Sequence, residues 1–333
     1  MLVSSRPAIT PLMRPASFTV LRALADGSLR SAAALGVSRS ALRDAILDLR
    51  AQGVAVEVVR GHGYRLTEDA DLISREAVAA RLAERGAAIS LSVLDQCDST
   101  NAELLARAAG GAPSGAAIAC ELQTAGRGRR GNRWYSGLAT SLTFSLLWRY
   151  GRAGTDLAGL SLAAGVACVR ALATLGVRGV MLKWPNDLMH EGRKLGGILV
   201  EAVGEIKGPS AVVVGVGVNV RLTRAPRIPL ARPVTALADI GPKLPSRNAL
   251  LGEFLAQLAA ALETFGEHGF AAFRAEWMRL HALQDARIRV ALPGGVSAEG
   301  VAVGVDEDGA LLLSTDAGVR RLHSGEVTIG ATA

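Results

Sequence analysis

Lysine is scarce in this chain. Only Lys183, Lys194, Lys207 and Lys243 occur among 333 residues, against 33 arginines. A high-GC codon bias accounts for the arginine, so each place that keeps lysine is worth locating. Cysteine is scarce too. Cys97, Cys120 and Cys168 are odd in number and lie at no metal-ligand spacing, which excludes a disulfide framework and reads as reduced thiols in a cytoplasmic protein. The five histidines, at 62, 190, 268, 281 and 323, have no metal spacing. No GxSxG, HExxH, CxxC or GxGxxG-plus-acid pattern occurs, which argues against a His-ligated metalloenzyme or a Ser/His hydrolase. The apolar run over 159–169 ends at Arg170, short of the roughly 20 residues a membrane span needs. The N-terminus lacks an apolar block ahead of a cleavage site, so neither a membrane segment nor a secretory signal is expected.

Half of the residues are apolar and 20% are charged, with a net charge of +7. A length of 333 residues at roughly 100–200 per domain predicts two or three domains. Residues 1–16, with three prolines, read as a disordered tail. Residues 17–68 read as a winged helix-turn-helix. Ser17 caps a helix over 18–25, a short helical piece covers 31–35, and Ser38 caps a helix over 39–51 with Leu42, Ala45, Ile46 and Leu49 on its inner face. A hairpin turning at Gly61–Gly63 follows. Residues 74–282 read as a mixed α/β (α+β) domain behind a connecting helix over 74–85. Its strands are expected at 88–94, 116–122, 140–148, 179–184, 195–203 and 210–220. Its helices are expected at 101–109, 157–175, 247–265 and 270–280. Residues 284–331, short strands between Gly and Asp turns, read as a small barrel.

Five segments carry chemistry. In QTAGRGRRGNRWY, 123–135, glycines 126, 128 and 131 alternate with arginines. Glycine lets backbone N–H groups approach an oxyanion, guanidiniums add fork-shaped donors, and Trp134 offers a stacking face for a base. The same composition also suits a plain basic surface loop. In KWPND, 183–187, Pro185 places Asn186 and Asp187 at a strand tip, an ordinary turn exit on its own. RKLGGILVE, 193–201, follows, and a hairpin between these two segments would bring Lys183 and Lys194 together. Two neighbouring ammoniums repel unless an anion sits between them. VVVGVGVNV, 212–220, ends at Asn219, whose amide can donate and accept. In DSTNAELLA, 98–106, Thr100 and Glu103 fit a capping box, and the same helix start can bind a polar head group. A site of Arg, Lys, Gly and Trp works by positioning and charge neutralisation, as phosphoryl and nucleotidyl transfer require.

Taken in order, STN at 99–101, Q-x-x-GRGRRG-x-x-W at 123–134, KWPND, RKLGGILVE and GVGVN at 215–219 resemble the biotin–protein ligases over 88–331. With the winged helix, the chain resembles the bifunctional form that is also a biotin-operon repressor. The resemblance implies a biotin/lipoate-ligase type of central domain and an SH3-like C-terminal β-barrel. It implies a reaction in which biotin and Mg-ATP give biotinyl-5′-adenylate, followed by transfer to a lysine of the biotin carboxyl carrier protein of acetyl-CoA carboxylase. Lys194, Arg129 and Lys183 would be catalytic. Ser99, Thr100, Asn101, Gln123, Arg127, Gly128, Arg129 and Lys194 would bind biotin. Arg127, Arg129, Trp134, Lys183, Asn186 and Asn219 would bind ATP or the adenylate. No resident metal site is implied beyond Mg²⁺ accompanying the nucleotide. Ser38, Arg39, Ser40 and Arg43 would face operator DNA, and a homodimer would form when the adenylate is bound. Two features depart from that pattern. Asn132 replaces a common basic residue, and the ten residues between Gly27 and Ser38 are about one helical turn short. Asp44 and Asp48 also sit on the recognition helix, where DNA phosphates would repel them. The rival readings are a ligand-sensing regulator without catalysis and a lipoate or octanoate transferase of the same fold.

Overall fold

The computed structural model describes residues 12–150, 157–203, 210–222, 233–241 and 243–329. Lys207, residues 1–11 of the expected tail and the last two residues of the expected barrel lie outside them. The first unit holds α1 (Pro15–Leu24), α2 (Arg39–Ala51), β1 (Val56–Val59) and β2 (Gly63–Leu66). Helix α2 forms as its pattern predicts. Ser38 Oγ accepts from Ala41 N at 3.2 Å, and Leu42, Ala45, Ile46 and Leu49 are buried. Burying each large side chain stabilises by about 1.5–3 kcal/mol.

Three local expectations are corrected here. Helix α1 starts at Pro15 with Arg14 as its extended cap, because the residue before a proline is driven out of the helical region. Ser17 is therefore inside the helix, and its hydroxyl donates to Asp48 Oδ2 at 2.7 Å. Ordered chain also begins before residue 17, since Met13 is buried and exchanges two hydrogen bonds with Gln96. Residues 32–36 are turns rather than a helix. Arg30 exchanges backbone hydrogen bonds with Tyr64 of the wing and Gly36 adopts φ +65°. The stretch between them is too short to repay helix nucleation.

Helix α3 (Arg75–Glu84) leads into a seven-stranded sheet. In spatial order its strands are β3 (Ser90–Cys97), β4 (Ala116–Gln123), β5 (Ser141–Tyr150), β9 (Ser210–Asn219), β8 (Arg193–Val203), β7 (Asp187–His190) and β6 (Val180–Lys183). β3 and β4 are parallel, joined across α4 (Thr100–Ala109), and every other pairing is antiparallel. One face packs on α5 (Leu160–Thr174), α6 (Arg247–His268) and α7 (Ala271–Arg279) through Leu142, Phe144 and Leu146. The alternate residues of β5, with Leu147 among them, face α4. Asp187, expected at the tip of a strand exit, instead begins β7, for which no strand was expected. β7 runs between β6 and β8, so the expected two-segment hairpin is a three-strand ladder.

β10 (Arg287–Ala291), β11 (Ser297–Val305), β12 (Leu311–Thr315), β13 (Gly318–Leu322) and β14 (Glu326–Ile329) form an antiparallel sheet. Its order is β13-β12-β11-β10-β14, and no β13–β14 ladder closes it into a barrel among the described residues. Trp184 Nε1 donates to Gly309 O at 3.0 Å, fastening this sheet to the β6 edge of the central one.

Helix α6 is long and apolar enough to cross a bilayer, yet it lies in the core and buries two charges. Glu253 is fully buried against Arg81 and Arg85 of α3 and its cap. Arg247 binds Glu121 at 2.6 Å, Ser141 O at 3.1 Å and Asp71 O at 2.8 Å. Glu121 Oε1 also accepts from Ile73 N at 2.6 Å. This pair joins β4, β5, α6 and the segment leading from the winged helix. Glu121→Ala would strand the Arg247 charge and should cost on the order of 3–5 kcal/mol in urea unfolding. A loss below about 1 kcal/mol would show that the pair does not weld these elements.

Candidate active site

A cleft of about 880 Å³, open mouth included, lies at the ends of β4, β8 and β9 under the Gly-Arg loop. That size suits a small ligand. Ser99, Thr100, Asn101, Gln123, Arg127, Gly128, Arg129, Trp134, Lys183, Asn186 and Lys194 all line it. Asn219 does not, and its Nδ2 donates to Thr235 O at 2.9 Å. β9 pairs Asn219 with Ser141, which carries it past the end of the cleft.

One end of the cleft is a polar network on the α4 face. Gln123 Oε1 accepts from Thr100 N at 2.8 Å and lies 3.2 Å from Thr100 Oγ1. Ser145 Oγ lies 2.7 Å from Thr100 Oγ1 and 2.6 Å from Asn101 Oδ1. The helix cap is therefore Ser99, with no side-chain bond. Thr100 is spent on Gln123, and Glu103 pairs with Arg107, so the expected capping box does not form. Gly215 explains the glycine in β9, because a Cβ there would overlap the Asn101 side chain. At Gly217 a Cβ would lie 2.5 Å from Trp134 Cε2. Trp134 thus rests on the sheet, its Nε1 buried without a hydrogen-bond partner among the described residues.

The loop over 126–134 folds back on itself. Trp134 N donates to Gly126 O at 3.0 Å and Gly128 N to Asn132 O at 2.7 Å. At the tip, Arg130 and Gly131 both take positive φ, and Arg130 donates to Ala291 O of the C-terminal sheet at 3.0 Å. Burial and neighbouring Arg130 push the Arg129 guanidinium below its usual range, while Asp187 opposes that shift.

Asp187 is what the sequence reading missed. Named there only as a turn residue, it begins β7 and faces both neighbours. Lys194 Nζ lies 2.6 Å from its Oδ1 and Lys183 Nζ 3.3 Å from its Oδ2. The anion that two close lysines demand is the protein's own. Gly197, opposite Asp187, leaves room for the ammonium, since a Cβ there would sit 3.3 Å from Lys194 Nζ. Burial alone would raise the Asp187 pKa, but Lys194 and Lys183 outweigh it and hold the carboxylate below the usual range. It therefore stays ionised at neutral pH. Its stabilising contribution is complete above the ordinary carboxylate range and disappears as pH falls through the lowered native value. Glu201 was missed as well, hidden within the apolar strand β8. It binds Arg127 at 2.6 Å and Asn101 at 2.9 Å.

Asp187→Asn would leave two ammoniums facing each other without the carboxylate between them, and should destabilise the protein to urea at neutral pH. Because the native carboxylate is held below its usual range, that loss should shrink as pH falls through the lowered value, where the parent's Asp187 is protonated too. Urea unfolding of parent and variant from neutral to acid pH checks this, and a difference that does not change with pH would show that the Asp187 charge does not hold the lysines.

Comparison with known proteins gives three family matches along the chain. Residues 32–65 match an HTH domain, residues 93–219 the biotin/lipoate A/B protein ligase family, and residues 286–330 the biotin protein ligase C-terminal domain. The bifunctional ligase/repressor BirA of Salmonella typhimurium is 35% identical over 315 residues, covering 93% of this chain and 96% of that one. Its Escherichia coli counterpart is 36% identical over 295 residues, covering 89% and 90%. The biotin protein ligase of Aquifex aeolicus, solved with biotin and ATP, superposes with a TM-score of 0.62 at 27% identity. That alignment spans 73% of this chain and 99% of the other.

Proposed function

The chain belongs to the biotin/lipoate A/B protein ligase family and is an ATP-dependent biotin–protein ligase, and from that premise we propose how its cleft works. Biotin lies with its head group among Ser99, Thr100, Asn101 and Gln123, and its carboxylate reaches Lys194. ATP lies under the loop, with its α-phosphate toward Arg129 and Lys183 and its adenine toward Trp134 and Asn186. A carboxylate oxygen attacks the α-phosphorus and pyrophosphate leaves, giving biotinyl-5′-adenylate. A lysine amine of the biotin carboxyl carrier protein of acetyl-CoA carboxylase then attacks the acyl carbon, and AMP leaves.

The observation that carries this reading is the cationic cluster on Asp187. Lys194, Lys183 and nearby Arg129 surround one carboxylate, so the cluster keeps a positive excess. Two anions must meet for adenylation, and fixed cations remove the repulsion that opposes it. Among the described residues no cluster of acids or histidines forms a metal cage. A Mg²⁺ would arrive on the ATP phosphates, which need no all-protein cage to keep it. Asp187 is already committed to Lys194 and Lys183, so the phosphates would hold the ion and the ion would neutralise their charge.

The winged helix supplies the second role we propose, repression through operator DNA. Ser38, Arg39, Ser40 and Arg43 stand exposed on and before α2. The acids that sequence reading set against binding are largely taken up. Asp48 accepts from Ser17 and the Arg14 backbone, and Asp44 lies 3.6 Å from Arg14 and 3.7 Å from Arg43. Adenylate-dependent pairing of two chains would present two such helices to one operator. The cytoplasm is the compartment where carrier protein, ATP and operator meet.

Incubating the protein with biotin, Mg-ATP and a carrier domain should add one biotinyl group by mass spectrometry. A carrier that takes lipoate and not biotin would refute the assignment. Lys194→Ala should slow adenylation at least tenfold, since a charge-assisted contact is worth on the order of 1.5–3 kcal/mol. Arg129→Gly should still form the adenylate but release it early, labelling bystander lysines. Labelling confined to the carrier would remove Arg129 from retention. In gel-shift titrations, Arg39→Ala and Arg43→Ala should each reduce the salt dependence of DNA binding by about one unit of slope. Unchanged slopes would take α2 off the DNA.

A further inference from the structure

Glu201 lies outside the residues that line the cleft, yet it is bonded to two that do. Asn101 Nδ2 donates to Glu201 Oε2 at 2.9 Å, and Arg127 NH2 donates to Oε1 at 2.6 Å. The two partners differ in how firmly the rest of the protein holds them. Asn101 sits in the first turn of α4 and is buried. Its side chain fills the notch at Gly215 and is also bonded to Ser145 and Leu199 O. Arg127 sits on the loop between Gly126 and Gly128, and its side chain is about half exposed, at 47%. Its backbone is bridged to Arg133 within the same loop, so it is the side chain that ties this part of the loop to β8. Strand β8 also places Leu199, which does line the cleft, two residues before Glu201 and on the same face.

We infer that Glu201 is a positioning residue that references the Gly-Arg loop to the head-group pocket. One carboxylate, with one oxygen for each partner, converts the fixed place of Asn101 into a fixed place for Arg127. A ligand that enters beside Asn101 then meets a loop already referenced to its pocket through that one carboxylate. The inference rests on reading this cleft as the biotin site. The charge matters as much as the oxygen. A glutamine would still accept from Asn101 but would offer Arg127 no anion.

Glu201→Gln is therefore the diagnostic change, made in the full-length protein. Without ligand, trypsin should cut the loop after Arg127, Arg129 or Arg130 several-fold faster than in the parent, with the thermal midpoint nearly unchanged. In biotin-dependent pyrophosphate release, KM for biotin should rise about tenfold while kcat moves far less. Arg127→Ala should raise KM similarly, and the double variant should add little, because both changes break one tie. Equal loop cleavage in parent and variant would overturn the inference, as would additive KM effects. So would a lowered thermal midpoint with kcat lost in proportion to the rise in KM, since that marks a merely structural role. The cleavage measurement uses no biotin, so it tests the tie even if the parent protein proved inactive on biotin.

Discussion

Holding two ammonium groups close together in a partly buried place is the constraint on which this site depends. Asp187 meets it, 2.6 Å from Lys194 and 3.3 Å from Lys183. Much of the local architecture follows. β7 must run between β6 and β8 so that one carboxylate faces both lysines. Gly197 must lack a side chain so that the Lys194 ammonium can lie across the strand. The C-terminal sheet must dock, because Lys183 also donates to Val327 O at 3.4 Å and Trp184 to Gly309 O. One carboxylate among these cations leaves a net positive excess in a low-dielectric cleft, which favours arriving anions more strongly than the same charges in water would.

The glycines of the motifs act as seats. Gly215 receives Asn101, Gly217 receives the Trp134 indole, Gly197 receives Lys194, and Gly126 lies against Trp134 O. Each pairs a missing Cβ with a named group of the cleft. The spacing that makes these segments recognisable is thus a packing requirement of the site. A Cβ at Gly215, Gly217 or Gly126 would overlap a cleft-lining residue or the loop backbone, and one at Gly197 would press on the Lys194 ammonium.

Much of the organisation was legible in the chain. Strands with clear alternation or continuous apolar runs, such as β4, β5 and β9, fell within a residue or two of their predicted ends, and α2 was read to the residue. What stayed hidden depended on cross-strand register or on distant partners. Asp187 looked like a turn residue because Pro-Asn-Asp is ordinary turn chemistry, and only the β6–β7–β8 register reveals its two lysines. Glu201 lies within an apolar strand and signals nothing until α4 and the loop fold over it. Asn219 looked ligand-ready because its amide can donate and accept, but Thr235 takes the donor. The 31–35 segment had helical composition, and a backbone bridge from Arg30 to the wing overrode it. The Thr100–Glu103 spacing fitted a cap, but a buried glutamine 23 residues away competes better for the hydroxyl.

The central claim is that this cationic cleft joins a carboxylate to AMP and holds the product until an acceptor arrives. Rapid-quench measurement of pyrophosphate from Mg-ATP, with biotin and no carrier protein, tests it most directly. The account predicts a burst of one pyrophosphate per protein chain, absent without biotin, followed by slow turnover that rises when carrier is added. Pyrophosphate release independent of biotin, or steady turnover with no burst, would contradict it.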